Sequence, residues 1–132
     1  MIIDTSAVIA IIGKETGHQL IEDALVAADE PKMGAPTQLE AGMVVLGRWG
    51  HRGTTLLARL LQEQGITVVP FTAQHAEIAA DAFNRFGKGR HKAALNLGDC
   101  LTYAIAYVAR EPLLFVGDDF THTDLKLVDL GS

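Results

Sequence analysis

Apolar positions along the chain alternate between short continuous runs and longer stretches with helical spacing. The continuous runs predict buried strands at residues 1–3, 66–69 and 113–116, and the first strand ends at Asp4. Lys32 to Ala35 forms a weaker strand candidate, and residues 125–130 form a candidate final strand. Helical spacing predicts helices at Thr5–Lys14, Gly17–Ala28, Pro36–Trp49, Thr54–Gln64, Ala73–Phe86 and Leu97–Arg110.

Strands that alternate with helices predict an α/β fold, in which a parallel sheet is covered on both faces. The 132 residues contain no repeat, low-complexity tract or linker, so we expect one domain over residues 1–132. In open α/β sheets, ligands bind beyond the carboxyl ends of the strands. We therefore expect catalytic or binding residues directly after the strands.

Five carboxylates fall at predicted strand ends or helix starts. They are Asp4 at the end of the first strand, Glu40 and Asp99 in the first turns of two helices, and Asp118 and Asp119 after the strand 113–116. Taken singly, each could be a helix-capping or turn residue. Gathered in one crevice, they would repel one another unless a cation neutralised them. Hard oxygen ligands select Mg²⁺ or Mn²⁺, so the set favours metal-assisted phosphodiester hydrolysis.

Basic residues are concentrated in one stretch of an acidic chain. The chain has 11 Lys+Arg against 16 Asp+Glu, a net charge of −5, which argues against a general DNA-coating protein. Four of the 11 basic residues lie within eight positions, at Arg85, Lys88, Arg90 and Lys92. The stretch is either a solvated helix end or a phosphate clamp beside the acidic residues, where Phe86 and His91 would stack on bases.

The remaining candidate residues predict no further chemistry. The single cysteine, Cys100, cannot form an internal disulfide, and we expect it to be a buried apolar residue. The five histidines have no metal-ligand spacing. Ser6 is expected to cap a helix or orient a carboxylate. No apolar stretch reaches the roughly 20 residues of a membrane span, and no export signal is visible, so a cytoplasmic location is expected.

Four short motifs occur in order along the chain. The first is Ile2-Ile3-Asp4-Thr5-Ser6-Ala7, and the second is Leu39-Glu40 in a middle helix. The third is Leu95-Asn96-Leu97-Gly98-Asp99-Cys100-Leu101-Thr102-Tyr103-Ala104. The fourth is Leu113-Leu114-Phe115-Val116-Gly117-Asp118-Asp119-Phe120, followed by Thr123-Asp124-Leu125. These four motifs resemble those of PIN domains, and most closely those of the VapC toxins of bacterial toxin–antitoxin pairs. The resemblance extends over essentially the whole chain.

The resemblance implies a three-layer α/β/α fold with a central, mainly parallel sheet of four to five strands. It implies an endoribonuclease dependent on Mg²⁺ or Mn²⁺, which forms a homodimer, acts on RNA such as tRNA and is inhibited by a VapB-type antitoxin. Asp4, Glu40 and Asp99 match the leading acidic positions, and Asp4 and Asp99 would bind the metal. Ser6 matches the polar residue that supports the first aspartate. Asp119 is the favoured fourth acid, and Asp118 is the alternative.

Two other functions stay open at this point. A non-catalytic PIN-type module would bind RNA or protein and would not need its carboxylates. A Mg²⁺-dependent phosphatase would use Asp4 as a nucleophile, usually with a second aspartate close by, and Ser6 offers no such group. For a protein partner, the apolar helices Gly17–Ala28 and Pro36–Trp49 are the candidate binding surfaces.

Overall fold

The computed structural model describes residues 1–131, and its elements follow the predicted alternation of strands and helices. The strands are β1 Ile2–Ile3, β2 Lys32–Gly34, β3 Thr67–Val69 and β4 Leu113–Leu114. The helices are α1 Thr5–Ile12, α2 His18–Ala27, α3 Ala35–Glu63, α4 Ala73–Phe86 and α5 Leu97–Ala109. The weak strand candidate at Lys32 is confirmed as β2.

The four strands form one parallel sheet in the order β3-β2-β1-β4. Strand β1 lies between its two neighbours, with Ile2 opposite both Lys32 and Leu113. This arrangement confirms the predicted α/β class. Because the strands are parallel, the carboxyl ends of β1, β2 and β4 come out side by side at one edge of the sheet.

Each face of the sheet carries its own hydrophobic core. Ile3 and Leu114 pack with residues of α1, α2 and α3, whereas Ile2 and Leu113 pack with residues of α4 and α5. Successive side chains of a strand point to opposite faces, so a run of two apolar residues supplies both cores. The layers are therefore helix, sheet and helix, as the resemblance implied.

Helix α3 differs from the prediction because the two helices expected on either side of Gly50 and Gly53 are joined. The helical stretch runs from Ala35 to Glu63 with a kink at Gly50, whose φ of 64° and ψ of −151° suit glycine alone. Gly53 stays helical and is buried. The helix begins at Ala35, so Glu40 lies in its second turn and not in its first.

The strands are shorter than the apolar runs indicated. Strand β4 ends at Leu114, two residues before the predicted end. The expected strand at residues 125–130 is reduced to one bridge, between Leu127 and Leu113. Helix α5 ends at Ala109, because Arg110 adopts a left-handed conformation with φ of 56°.

The amino end of the sheet carries a cluster of opposite charges. Glu111 accepts hydrogen bonds from Lys32 and from the amino group of Met1, each at 2.5 Å. Lys32 and that amino group hold the pKa of Glu111 below its usual value. Within residues 1–131, no helix is both long and apolar enough to span a membrane.

Candidate metal-dependent active site

Asp4 lies where β1 passes into α1, and hydrogen bonds fix both of its carboxylate oxygens. Its Oδ2 accepts from the Ser6 backbone N at 3.1 Å and from Ser6 Oγ at 2.7 Å, which caps α1. Its Oδ1 accepts from Thr102 Oγ1 at 2.8 Å. Asp4 is 6% exposed. A carboxylate this buried needs such partners, because an unpaired charge is costly to remove from water.

Glu40 reaches the same place from the second turn of α3. Thr5 Oγ1 donates a hydrogen bond to Glu40 Oε1 at 2.5 Å. A methyl group added to Gly98 would overlap Glu40 Oε2, so this carboxylate rests against the backbone of the first turn of α5. Because Gly98 has no side chain, it leaves the space that lets Glu40 approach Asp99. The amino terminus of a helix also favours a nearby negative charge.

Asp99 is both a helix cap and a member of the acidic group. The Asn96 side chain accepts from the Asp99 N–H at 2.9 Å, and Asp99 Oδ2 accepts from the Asn96 N–H at 3.1 Å. Burial, together with the charges of Asp119, Asp4 and Glu40, raises the pKa of Asp99 to about 7. The four carboxylates are thus close enough to disturb one another.

The turn after β4 contributes Asp119 and not Asp118. The acidic pocket, as we define it, is lined by Asp4, Glu15, Glu40, Asp99 and Asp119 together with Arg48. Asp118 is exposed and is not among the lining residues of the described chain. Ser6 connects this turn to the first turn of α1, because its Oγ accepts from the Val116 N–H at 2.9 Å. The placement favours Asp119 as the fourth acid.

The donor set fits a hard divalent cation. Carboxylate oxygens are the ligands that Mg²⁺ and Mn²⁺ prefer. Across residues 1–131, no group of three or more His, Cys, Asp or Glu side chains is arranged so that it could hold a metal ion. Mg²⁺ usually keeps several waters and binds through one or two carboxylates, so a pair of pocket residues is sufficient.

The predicted basic stretch leads to the acidic pocket but does not line it. Arg85 pairs with Asp124 at 2.9 Å and stacks over Phe86 at 4.7 Å, so it is held in a surface network. Lys88, Arg90 and Lys92 are exposed in the segment that leads to Asn96. The stacking predicted for Phe86 is wrong, because this ring is buried and the His91 ring packs edge-on against it at 5.2 Å.

Sequence reasoning assigned no role to several residues at this site, among them Glu15, Arg48, Thr37 and Thr102. Arg48 is the one cation that lines the acidic pocket in the described chain, and it pairs loosely with Glu15 at 3.7 Å. Glu40, Val44 and Arg48 are spaced four residues apart, and this spacing indicates that all three lie on the same face of a helix. Thr37 and Thr102, which lie behind Asp4, were assigned no role because both fall among the apolar positions of their helices, although Thr102 stands within the third motif.

The chain belongs to the PIN-domain family, because a family model described as "PIN domain" matches residues 1–126. It is 50% identical over 127 residues to "Ribonuclease VapC36" of Mycobacterium tuberculosis, covering 96% of this chain and 91% of that protein. It is 44% identical over 127 residues to "Ribonuclease VapC42" of the same species, covering 96% and 97%. The predicted family is therefore confirmed.

Solved structures agree on the fold. The crystal structure of Mycobacterium tuberculosis VapC20, described as a Sarcin-Ricin loop cleaving toxin, matches with a TM-score of 0.78 at 17% identity. That match covers 96% of this chain and 97% of VapC20. A toxin–antitoxin complex from Klebsiella pneumoniae matches with a TM-score of 0.70 at 18% identity, covering 98% of this chain and 96% of that chain.

Proposed function

We propose that this chain is a divalent-metal-dependent endoribonuclease and the toxin of a toxin–antitoxin pair. The observation that carries the proposal is the acidic pocket, where Asp4, Glu40, Asp99 and Asp119 meet at adjacent strand ends. Membership of the PIN-domain family and 38–50% identity to proteins named VapC ribonucleases support it.

The pocket residues divide into metal ligands and supporting groups. In this proposal Asp4 and Asp99 hold Mg²⁺ or Mn²⁺, Glu40 joins them directly or through water, and Asp119 completes the charge. When bound, the cation would lower the pKa of water and offset charge on the phosphate. Ser6 keeps Asp4 oriented through two hydrogen bonds, and Asn96 does the same for Asp99.

The RNA backbone would be held by cations at the edge of the pocket. Arg48 lines the pocket itself, and its ion pair with Glu15 joins side chains that are 54% and 44% exposed. Such a pair is weak, so the Arg48 guanidinium can exchange Glu15 for a phosphate. Lys88, Arg90 and Lys92 would extend the contact along the strand of RNA. Structured RNA such as tRNA is the proposed substrate.

A cognate VapB-type antitoxin is the proposed protein partner, and a homodimer is the proposed assembly. The support for a partner is a groove along α3 that exposes large apolar side chains. Leu39 and Met43 are each 66% exposed and Leu46 is 49% exposed, and all three line this groove. Co-purification with the co-expressed antitoxin would test the partner, and sedimentation of the purified chain would test the homodimer.

The enzymatic proposal is tested by RNA cleavage with purified protein. Total tRNA would be incubated with Mg²⁺, Mn²⁺ or EDTA and with wild type, Asp4→Asn, Asp99→Asn or Asp119→Asn. Loss of a metal-ligand partner beyond the first sphere already costs roughly 10–100-fold. We therefore expect Asp4→Asn and Asp99→Asn to lose more than about 100-fold, with a smaller loss for Asp119→Asn.

Asp118→Asn is the matched control, since Asp118 is a neighbouring acid outside the pocket. It should cleave like wild type, and circular dichroism should report the same fold for every variant. Cleavage that survives in Asp4→Asn and Asp99→Asn would contradict the site and indicate a contaminating nuclease. A wild type that neither binds Mn²⁺ nor cleaves RNA would favour the non-catalytic binding module.

A further inference from the structure

Behind Asp4, a chain of two hydroxyl groups runs from the acidic pocket into the protein interior. Thr102 of α5 donates from Oγ1 to Asp4 Oδ1 at 2.8 Å. Thr37 of α3 places its own Oγ1 3.1 Å from Thr102 Oγ1. Thr37 is 2% exposed and Thr102 is 1% exposed. These two hydroxyl groups therefore connect Asp4, the residue after β1, to helices α3 and α5 without contact with bulk water.

The direction of these hydrogen bonds follows from the number of protons. Each threonine hydroxyl has one proton to donate, and an ionised carboxylate can only accept. The Thr102 proton is committed to Asp4, so the bond between the two threonines must be donated by Thr37. The order of donation is thus Thr37 to Thr102 to Asp4, and each hydroxyl fixes the rotation of the next.

The Thr102 hydroxyl has an alternative partner that it does not use. A threonine inside a helix can donate to a backbone carbonyl one turn earlier. Here the proton goes to Asp4 instead, across a separation of 98 residues in sequence. Together with the two bonds from Ser6 to Oδ2, this bond leaves the Asp4 carboxylate no free rotation.

We propose that Thr102, oriented by Thr37, is a positioning residue that fixes the plane of the Asp4 carboxylate toward the acidic pocket. The inference rests on the proposed function, since it gives Asp4 the orientation a metal ligand needs. Partners behind a ligand commonly set its orientation and change metal affinity or activity by about 10–100-fold when removed. Thr102 touches neither metal nor RNA in this proposal and acts through Asp4 alone.

The test compares Thr102→Val, Thr102→Ser and Thr37→Val with wild type. Mn²⁺ binding is measured by titration calorimetry, and RNA cleavage is measured over a range of Mn²⁺ concentrations. Thr102→Val should raise both the Mn²⁺ dissociation constant and the half-saturating Mn²⁺ concentration by about tenfold or more. Thr102→Ser keeps the hydroxyl and should recover most of the affinity. Thr37→Val should fall between them, because Thr102 keeps its bond to Asp4 but can rotate.

Thr55→Val is the control, because Thr55 is an exposed helical threonine that bonds only to the His51 carbonyl in the described structure. It should match wild type in both measurements. Equal Mn²⁺ binding by Thr102→Val and wild type would overturn the inference. So would Thr102→Ser failing as badly as Thr102→Val, because the loss would then come from packing. If Thr102→Val does not fold, Thr102→Ser and Thr37→Val decide by the same comparison.

Crystal structures of wild type and Thr102→Val separate this inference from the proposed function. A wild type that binds no Mn²⁺ and cleaves no RNA would end the proposed function. The Asp4 carboxylate should still rotate away from its wild-type position in Thr102→Val if the hydroxyl fixes it. An unmoved Asp4 carboxylate in that variant would overturn the positioning role whatever the activity.

Discussion

At the scale of single residues, the acids at helix starts have two roles at once. Asp4 caps α1 through the Ser6 N–H, and Asp99 forms a capping box with Asn96. Both side chains also line the acidic pocket. The capping and site interpretations are therefore compatible, because the cap is what holds each carboxylate in place. Asparagine is about as good an N-cap residue as aspartate, so Asp4→Asn removes charge and keeps the start of α1.

Gly98 gives the clearest prediction at this scale. An added methyl group would overlap Glu40 Oε2, and the backbone of α5 cannot retreat because Asp99 and Asn96 anchor it. Gly98→Ala should therefore displace the Glu40 carboxylate. A displacement of about 1 Å at a reacting centre can cost roughly 100-fold in rate. We expect a loss of that order in RNA cleavage, measured with saturating Mn²⁺.

Gly47→Ala is the matched control for Gly98→Ala. Gly47 also lies in a helix, but an added methyl group there meets open space. Alanine is the better helix former, so this variant should gain about 0.5–1 kcal/mol in unfolding free energy. Its cleavage rate should stay at the wild-type value. If the two variants cleave equally well, Glu40 does not need its present position.

At the scale of elements, the sequence predicts helices better than strand lengths. Helix α4 has the predicted bounds, Ala73–Phe86, because an amphipathic pattern follows a capping threonine at Thr72. Apolar runs overestimate strands, since Phe115 and Val116 are apolar but lie beyond the last paired residue of β4. Gly50 and Gly53 both indicated a helix break, yet of these two glycines Gly50 alone has a positive φ. That choice depends on tertiary packing, which a local pattern does not contain.

The candidate site shows the same difference between features that depend on local sequence and features that depend on tertiary packing. Its carboxylates follow strand ends and helix starts, so a rule about parallel sheets was enough to group Asp4, Asp99 and Asp119. The hydroxyls of Thr37 and Thr102 meet because the fold brings the first turn of α3 close to the second turn of α5. Contacts between residues 65 positions apart leave no mark in local sequence. The acids and the neighbouring Ser6 were therefore predictable, whereas the supporting hydroxyls of Thr37 and Thr102 were not.

Two elements supply cations near the pocket, and salt dependence distinguishes them. Each phosphate contact adds about 0.7 to the slope of log K against log salt for single strands. Arg48→Ala should reduce that slope by about this amount, and the double change Lys88→Ala and Lys92→Ala by about 1.4. Binding of labelled RNA in EDTA, followed by fluorescence anisotropy, gives the slope without cleavage.

Arg85→Ala should behave differently from these variants. The Arg85 guanidinium is bound to Asp124, which also accepts a hydrogen bond from Tyr103 at 2.6 Å. We expect its loss to lower the melting temperature and to leave the salt slope unchanged. An unchanged slope for Arg48→Ala would remove Arg48 from the RNA-binding surface. A reduced slope for Arg85→Ala would return that residue to it.

At the scale of the whole molecule, the strands are too short to account for the fold alone. They have two or three residues each, and the two cores on either side of the sheet contribute most of the buried apolar surface. The acidic pocket lies where the sheet and α1, α3 and α5 meet, in a chain whose net charge is −5. Charge repulsion within this pocket therefore opposes the packing that holds the elements together.

The charge repulsion within the acidic pocket predicts how the stability of the protein depends on pH and on bound metal. Folding raises the pKa of Asp99 from its usual 3.8 to about 7, so the folded state binds this proton more tightly than the unfolded state. The unfolding free energy should therefore fall as pH rises from about 4 to about 7 and then level off.

Bound Mn²⁺ offsets the same charge, so Mn²⁺ should raise the melting temperature more at about pH 8 than at about pH 5.5. Asp99→Asn should lose that difference, whereas Asp118→Asn should keep it. A Mn²⁺ effect in Asp99→Asn equal to that of wild type at both pH values would show that another carboxylate holds the cation.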